Sequence, residues 1–467
     1  MKKVETTKEN KMGVMPINKL LVTMSLPIVI SMLIQAMYNL VDSVFVAQIN
    51  ADALTAVGMA FPMQSLMIAF QTGLGVGMNA LVSRYLGQKM PSEAGKAATH
   101  ALILTALNYV AFFIVGLTAL PAFFSLQTQS EAIAGYGVEY LSIVCCCSFG
   151  LFFQIYVERI LQATGKTMLS MISQITGAVL NIALDPVFIF GVDFLGIAPM
   201  GVKGAAIATV TGQIIGAAVG VILHHFCNKE LRLTVRSFKL NFGTIKTIYS
   251  VGIPSIIMSA LVSVLTFGMN MILKAYEPAA ATVFGVYFKL QSFVYMPVFG
   301  MNNGIVPIIA YNYGARKPKR IISTLKLGVM CSVMIMLLGV VLFELIPIPL
   351  LNMFSPTDDM IRIGETAVRV LCLSFPLAGI SIVLSSGFQA LGNGVYSMIV
   401  FILRLIVPAL PFAALFGMLG GVDFIWLALP ASDVLGLIAA VYFMRKMHKC
   451  VISKMPDSES STEFQSI

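Results

Sequence analysis

Twelve apolar runs, each near the length that crosses a bilayer, lie between Lys19 and Met444 and are joined by short polar connections. A membrane helix needs about 20 mostly apolar residues, so this recurrence restricts the chain to a multi-span helical membrane protein. Composition agrees where it matters. Of the 467 residues, 58% are hydrophobic and 11% charged, against roughly 45–50% and 25% in soluble domains. A mean hydropathy of +0.89 leaves no aqueous fold able to hide so much apolar surface, and no disordered chain able to stay solvated. The signal continues past the first run, which excludes a secreted protein with a cleavable leader. The runs are unbroken rather than alternating, which excludes a β-barrel.

The net charge of +9 is explained by topology rather than by nucleic acid. With the amino terminus placed in the cytoplasm, the 30 Lys and Arg gather in alternate connections. Only Lys203, Lys274 and Arg362 fall on the other side, and Lys289, Arg369 and Arg404 lie inside apolar runs. The positive-inside rule then puts both termini in the cytoplasm, and no nucleic-acid partner is expected. The seven cysteines, with Cys145, Cys146 and Cys147 in one apolar run, have no metal-ligand spacing and read as small buried hydrophobes.

A shift of 227 residues, the step from Pro27 to Pro254, lays one half of the chain over the other. Gly58 meets Gly285, Gln64 and Ser65 meet Gln291 and Ser292, and Gly73, Gly77, Gly87 and Pro91 meet Gly300, Gly304, Gly314 and Pro318. Apolar composition alone would align Leu and Ile, not Gly, Pro and Gln. The chain is therefore a duplicated six-helix unit whose copies share one orientation, related by an axis along the membrane normal. The expected organisation is a tail at 1–16, an amino-terminal lobe at 17–225, a basic cytoplasmic linker at 226–246, a carboxy-terminal lobe at 247–449 and a tail at 450–467. Pro27 and Pro254 each remove a backbone hydrogen bond from the first helix of a half, and are read as hinges.

Acids are costly inside a bilayer, so each is a functional candidate. Glu158, next to Arg159, reads as an interfacial ion pair at the inner helix end. Glu139 and Glu344 read as solvated outer-end residues, and Asp433, after Pro430 and Ser432, as a helix-start residue. Asp42 in YNLVDSVFV and Asp185 in NIALDPVFIFG differ, because both sit in the outward halves of long apolar runs. Asn181 precedes Asp185 by one helical turn on the same face, and Pro186 frees a carbonyl a turn earlier. Carboxylate, amide and carbonyl oxygens suit a small hard cation. Two acids in a low-dielectric cavity would instead share a proton. Either way the pair can hold and release a monovalent cation. In the second half Asp42 aligns with Met269 and Asp185 with Phe412, so the two copies are chemically unlike. Lys289 and Arg404 read as structural charges that pair with acids or carbonyls or snorkel. His100, His224 and His225 read as solvated end residues.

No nucleophile elbow, zincin helix or Walker loop is present, so the chain is read as a transporter driven by an ion gradient and not as an enzyme. No cofactor is expected beyond that coupling ion.

The LDPVFIFG run with Asn181 before it, the acid in the Pro27-bent first helix, the G-V-x-G-A-A-x-A-T run at Gly201–Thr209 and the VPIIAYNYGAR segment at Val306–Arg316 resemble multidrug and toxic compound extrusion (MATE) transporters, in their bacterial MepA-like branch. The resemblance spans about Lys19 to Lys449. It implies an all-α integral membrane fold of twelve transmembrane helices, arranged as two pseudo-symmetric six-helix lobes around an outward-facing central cleft. It implies exchange of cationic or amphiphilic drugs against H⁺ or Na⁺ by a monomer in the bacterial plasma membrane. Carried over position by position, the coupling site falls on Asp42, Asn181, Asp185 and Thr209, with the Ala205 carbonyl as a further ligand. Some branches place acids in the seventh and tenth helices. This chain has none in the cores of those runs, which argues against an ion site in its second half. A flippase of the same superfamily, taking a lipid-linked or anionic substrate, is the alternative, and Lys289 and Arg404 on the cleft would favour it.

Overall fold

The computed structural model describes residues 9–192, 196–233, 239–354 and 357–456. The tail reading for 457–467, and Arg236 in the basic linker, lie outside them.

In chain order the helices are α1 (Lys11–Val14), α2 (Ile17–Ala47), α3 (Ala51–Gly87), α4 (Pro91–Thr118), α5 (Leu120–Ser125), α6 (Glu131–Cys146), α7 (Phe149–Ala163), α8 (Thr167–Phe190) and α9 (Val202–Cys227). The second series is α10 (Phe242–Tyr276), α11 (Pro278–Gly314), α12 (Pro318–Leu345), α13 (Pro347–Asn352), α14 (Asp358–Cys372), α15 (Phe375–Ala390), α16 (Gly394–Leu405), α17 (Ala409–Ile425) and α18 (Ala428–Met447). Among the described residues there is no named strand, only an isolated bridge between Val192 and Ile197. Among the described residues, ten helices or continuous helical stretches are long and apolar enough to span a bilayer, and two bent pairs, each taken as one span, bring the number to twelve. The all-α membrane fold expected from the sequence is the one observed.

The fourth and tenth apolar runs, placed over 132–157 and 362–386 from the sequence, are each broken in two: α6 and α7 meet at 46° and α14 and α15 at 45°. At both breaks a serine takes over a backbone role. Ser148 Oγ donates to the Cys145 carbonyl at 2.7 Å, and Ser374 Oγ donates to the Leu371 carbonyl at 2.8 Å. Serine competes with the helix for its own carbonyls and thereby stabilises a turn in a medium that offers no water. The eleventh run, expected over 395–418, is likewise divided into α16 and α17 just before Ala409, where Pro408 supplies no N–H; α17 is interrupted again at Gly420 and Gly421.

Two compact packing units form. One comprises Ile30–Val82 and Pro91–Gly252; the other comprises Ser83–Met90 with the described parts of Met1–Val29 and Ile253–Ile467. Two of the boundaries fall inside α2, two residues after Pro27, and inside α10, just before Pro254; the other two fall inside α3, after Val82, and at the start of α4. In the first unit the core is built on Met67, Phe112, Phe124, Tyr140 and Phe152. In the second it is an aromatic chain: Trp426 stacks on Phe284, Phe284 on Tyr287, and Tyr287 on Phe375.

Glycine governs the closest crossings, because lipid gives no hydrophobic push and helices must gain from contact. A Cβ at Gly87 would lie 2.0 Å from the Tyr311 carbonyl oxygen, and one at Gly314 would lie 2.0 Å from the Arg84 carbonyl oxygen. Gly87 and Gly314 are repeat equivalents, as are Arg84 and Tyr311, so the two contacts are one contact made twice. In the first unit, Gly177 of α8 and Gly212 of α9 face each other's carbonyls in the same reciprocal manner, at 2.9 and 2.6 Å from a built Cβ. That crossing sets up the site.

Candidate functional site: an oxygen cluster on α2, α8 and α9

With Gly177 and Gly212 removing side-chain bulk, α8 and α9 approach until Asn181 reaches Thr209. Asn181 Nδ2 donates to Thr209 Oγ1 at 3.2 Å and to Asp185 Oδ1 at 3.4 Å. Asp185 is fully buried, Asn181 nearly so, and Asp42 is 9% exposed. Asp42 lies within the electrostatic range of Asp185. Tyr140 of α6 closes the group: its hydroxyl accepts from Gln64 Nε2 at 3.0 Å and also meets Thr209.

Three oxygens in this cluster are buried without any partner: Asp42 Oδ1, Asn181 Oδ1 and Asp185 Oδ2. Buried acceptors are ordinarily satisfied, because an orphan costs about 1–3 kcal/mol. Three orphans of one kind on three neighbouring residues make an electron-rich pocket with no proton or cation supplied by the protein. All are hard oxygen donors, the chemistry that takes Na⁺ or a shared proton. Among the described residues no group of three His, Cys, Asp or Glu is arranged to hold a metal ion, and an oxygen-only monovalent site would not form one. Ala205 is buried on α9 one turn before Thr209, packed in the apolar core with Val46 and Ile189.

Beside the cluster an open cavity is lined by Asn181 and Thr209 together with Gln35, Tyr38, Gln154, Glu158, Gln174 and Gln213. Its wall mixes these polar side chains with Ile68, Leu151, Ile155 and Ala178. Glu158 differs here from its reading as an interfacial end residue. It is 7% exposed, faces this cavity and takes a hydrogen bond from Gln154. Its neighbour Arg159 donates to Gln162 at 3.1 Å and stays within electrostatic reach of Glu158.

The second unit has its own cavity, lined by Phe288, Tyr295, Phe299, Phe401 and aliphatic residues, with Gln291, Ser292 and Ser374, around Arg404 and Asp433. The Arg404 Nε donates to Asp433 Oδ1, and both side chains are 6% exposed. Arg404 Nη2 also donates to the Tyr295 hydroxyl at 3.4 Å. Gly436 makes the room: a Cβ there would sit 2.9 Å from the Arg404 Cβ. Asp433 is thus an ion-pair partner rather than a helix-start residue. Lys289 is absent from this wall; its side chain is exposed, its Nζ 5.8 Å from the Phe354 ring centre.

Other acids and histidines are used structurally. Glu139 pairs with Lys203, and Glu344 receives the Cys372 thiol at 3.7 Å. His100, read as solvated, is 2% exposed. Its Nδ1 lies 2.7 Å from the Lys96 carbonyl, and its Nε2 accepts the Asn241 N–H at 2.8 Å. Sequence reasoning missed Tyr140, Gln64 and Glu158, whose roles depend on contacts between distant helices. Tyr38 was within reach, four residues before Asp42 and so on its face.

Similarity to known proteins agrees with this architecture. The MatE family profile matches the chain twice, over residues 27–187 and 254–415, the same duplication read from the sequence. The chain is 26% identical over 433 residues to a multidrug export protein MepA from Staphylococcus haemolyticus, covering 91% of this chain and 94% of that one. It is 25% identical over 448 residues to a FAD transporter from Shewanella oneidensis, covering 95% and 98%. Among solved structures, an outward-facing multidrug resistance MATE family transporter of the MOP superfamily superimposes with a TM-score of 0.88 at 26% identity, covering 97% and 99%. A twice-matched family profile, a shared fold along nearly the whole length and a duplicated six-helix unit leave one assignment: the chain belongs to the MatE, multidrug and toxic compound extrusion, family of multi-pass membrane transporters.

Proposed function

We propose that this chain is an efflux antiporter that exports cationic or amphiphilic small molecules in exchange for H⁺ or Na⁺, working as a monomer in the bacterial plasma membrane with both termini in the cytoplasm. The observation that carries this reading is the trio of buried, partnerless oxygens on Asp42, Asn181 and Asp185. Thr209 holds Asn181 in place, and the Ala205 carbonyl is the further ligand. The names of the relatives, one a multidrug exporter and one a FAD transporter, support a small organic molecule as cargo.

In the proposed cycle a cation entering the cluster neutralises Asp42 and Asp185. Filling it relieves the orphaned oxygens and pulls α2 toward α8, bending α2 at Pro27, where the helix lacks a hydrogen bond. Pro254 gives α10 the corresponding weak point. A ligand shifts such an equilibrium only by binding the two states unequally, and a site with orphan acceptors in one state supplies that inequality. Cargo that shares the polar cavity beside Asn181 then loses affinity as the cation arrives, and leaves.

The test is efflux of a fluorescent lipophilic cation from cells expressing the wild type, Asp42→Asn or Asp185→Asn, with Na⁺ present or replaced by choline. Loss of export in both variants, with wild-type export following the Na⁺ or the pH gradient, supports the reading and names the ion. Full export in both variants removes the coupling site from these residues.

A further inference from the structure

The two cavities occupy equivalent positions in the repeat. Gln35 and Tyr38 of the first correspond to Val262 and Leu265 of the second, Ile68 to Tyr295, Gln174 to Phe401, and Gly177 to Arg404. The second copy has therefore lost Gln35, Tyr38 and Gln174 to apolar side chains, gained a tyrosine for Ile68, and set a guanidinium where the first has only a glycine. A guanidinium carries five N–H donors in a planar fork. Here one is used by Asp433 and one by Tyr295, and the others have no acceptor among the described residues. Arg404 lines the cavity, so its unused donors have only that space in which to find a partner. Asp433 does not close the fork, because it is engaged at Nε, and it also meets Ser374. The pair is neutral as a whole, while the Nη edge still offers directed donors.

We propose that this cavity is a second ligand site, selective for planar aromatic molecules that carry a carboxylate. The ring stacks among Phe288, Tyr295, Phe299 and Phe401, and the carboxylate takes the open Nη edge of Arg404. Arg is the side chain fitted to this task, since its fork matches two carboxylate oxygens at once and its plane packs on aromatic faces. Lys, a point charge, does neither. The inference concerns binding alone, and it stands or falls independently of which ion drives export.

Trp426, the one tryptophan of the chain, lies in this half and serves as the reporter. Purified full-length protein in detergent is titrated with anthracene carboxylate and with aminomethyl anthracene, which share a ring and differ in charge, and energy transfer from Trp426 is followed. The carboxylate is expected to bind about tenfold tighter than the amine, a 1.4 kcal/mol difference. Arg404→Lys, which keeps the charge opposite Asp433 and loses the fork, is expected to weaken the carboxylate about tenfold and leave the amine unchanged. The double variant Arg404→Leu with Asp433→Leu, which leaves no buried charge unpaired, is expected to lose the preference entirely while retaining cooperative thermal unfolding. It also decides the matter if Arg404→Lys does not fold. Equal binding of the two probes, or wild-type carboxylate affinity in either Arg404 variant, would overturn the proposal.

Discussion

At one repeat-equivalent position the two halves of this molecule pack their helices differently. In the first half Gly177 of α8 lies against Gly212 of α9. In the second the equivalent of Gly177 is Arg404 of α16, packed on Gly436 of α18. A glycine in one copy is a buried guanidinium in the other. In the first half acids lie buried with oxygens unpartnered. In the second the acid is permanently matched by a cation of the protein itself. A buried pair completed from within has no need of an ion from solution, whereas an incomplete one has. On the function proposed above, one half exchanges a cation while the other keeps its own pair closed, which is a physical reason for expecting a single coupling site per chain.

The largest effect that could break this contrast is on transport. Asp185→Asn or Asp42→Asn is expected to reduce ion-driven export at least about tenfold, whereas the double change Arg404→Leu with Asp433→Leu leaves its ion dependence intact, since only differential binding couples ion to cargo. Export assays in vesicles with imposed Na⁺ and pH gradients decide it. Equal loss from both halves would end the idea of one exchanging and one fixed site.

Next in size is stability in the second half. Arg404→Leu alone strands a buried carboxylate and is expected to cost about 3–5 kcal/mol, with most of that recovered when Asp433→Leu is added. A double-mutant cycle on chemical unfolding measures it. Additive losses would mean that the two charges do not depend on each other.

The repeat-equivalent glycines sharpen the comparison further. A Cβ at Gly77 would sit 2.1 Å from the backbone oxygen of Ile248, whereas at Gly304 the nearest atom is Ser25 Oγ at 2.6 Å, which can rotate away. Gly77→Ala is expected to cost about 1–3 kcal/mol and Gly304→Ala distinctly less. Thermal unfolding of the two variants in the same detergent ranks them, and the reverse order would contradict the packing described.

The smallest effect has the opposite sign. Asp185→Asn is expected to stabilise the ion-free protein by about 0.5–2 kcal/mol, because binding sites are strained in exchange for function. A lower unfolding midpoint in Asp185→Asn would make Asp185 a structural residue.

Much of this was legible in the sequence, for identifiable reasons. Bilayer thickness prints itself on the length of apolar runs, and duplication preserves Gly and Pro in register, so the helix number and the 27-to-254 offset were plain. Asn181 and Asp185 are one turn apart, which makes their shared face a matter of arithmetic. The bends at Ser148 and Ser374 were not legible, because a serine that bonds its own helix looks in sequence like a serine that does not. The burial of Glu158 and His100 was hidden for a different reason: position along a helix says how deep a residue lies, but not what faces it. Arg404 and Asp433, 29 residues apart on separate helices, were each noted and not joined. The signal was there, since a charge in an apolar run demands a partner, but choosing that partner required knowing which helices touch.

The mirrored contact at Gly87 and Gly314 carries a history. Each glycine meets the residue that duplicates the other's neighbour, which is the isologous geometry of a twofold homodimer. A contact of this kind is the one two identical polypeptides make, with one patch serving both sides. Elsewhere the copies differ, one holding unpaired acids and the other an arginine. At this crossing no such freedom exists: a bulkier residue in either copy strikes the backbone of the other, so the two descendants of one ancestral gene still constrain each other there as partners do.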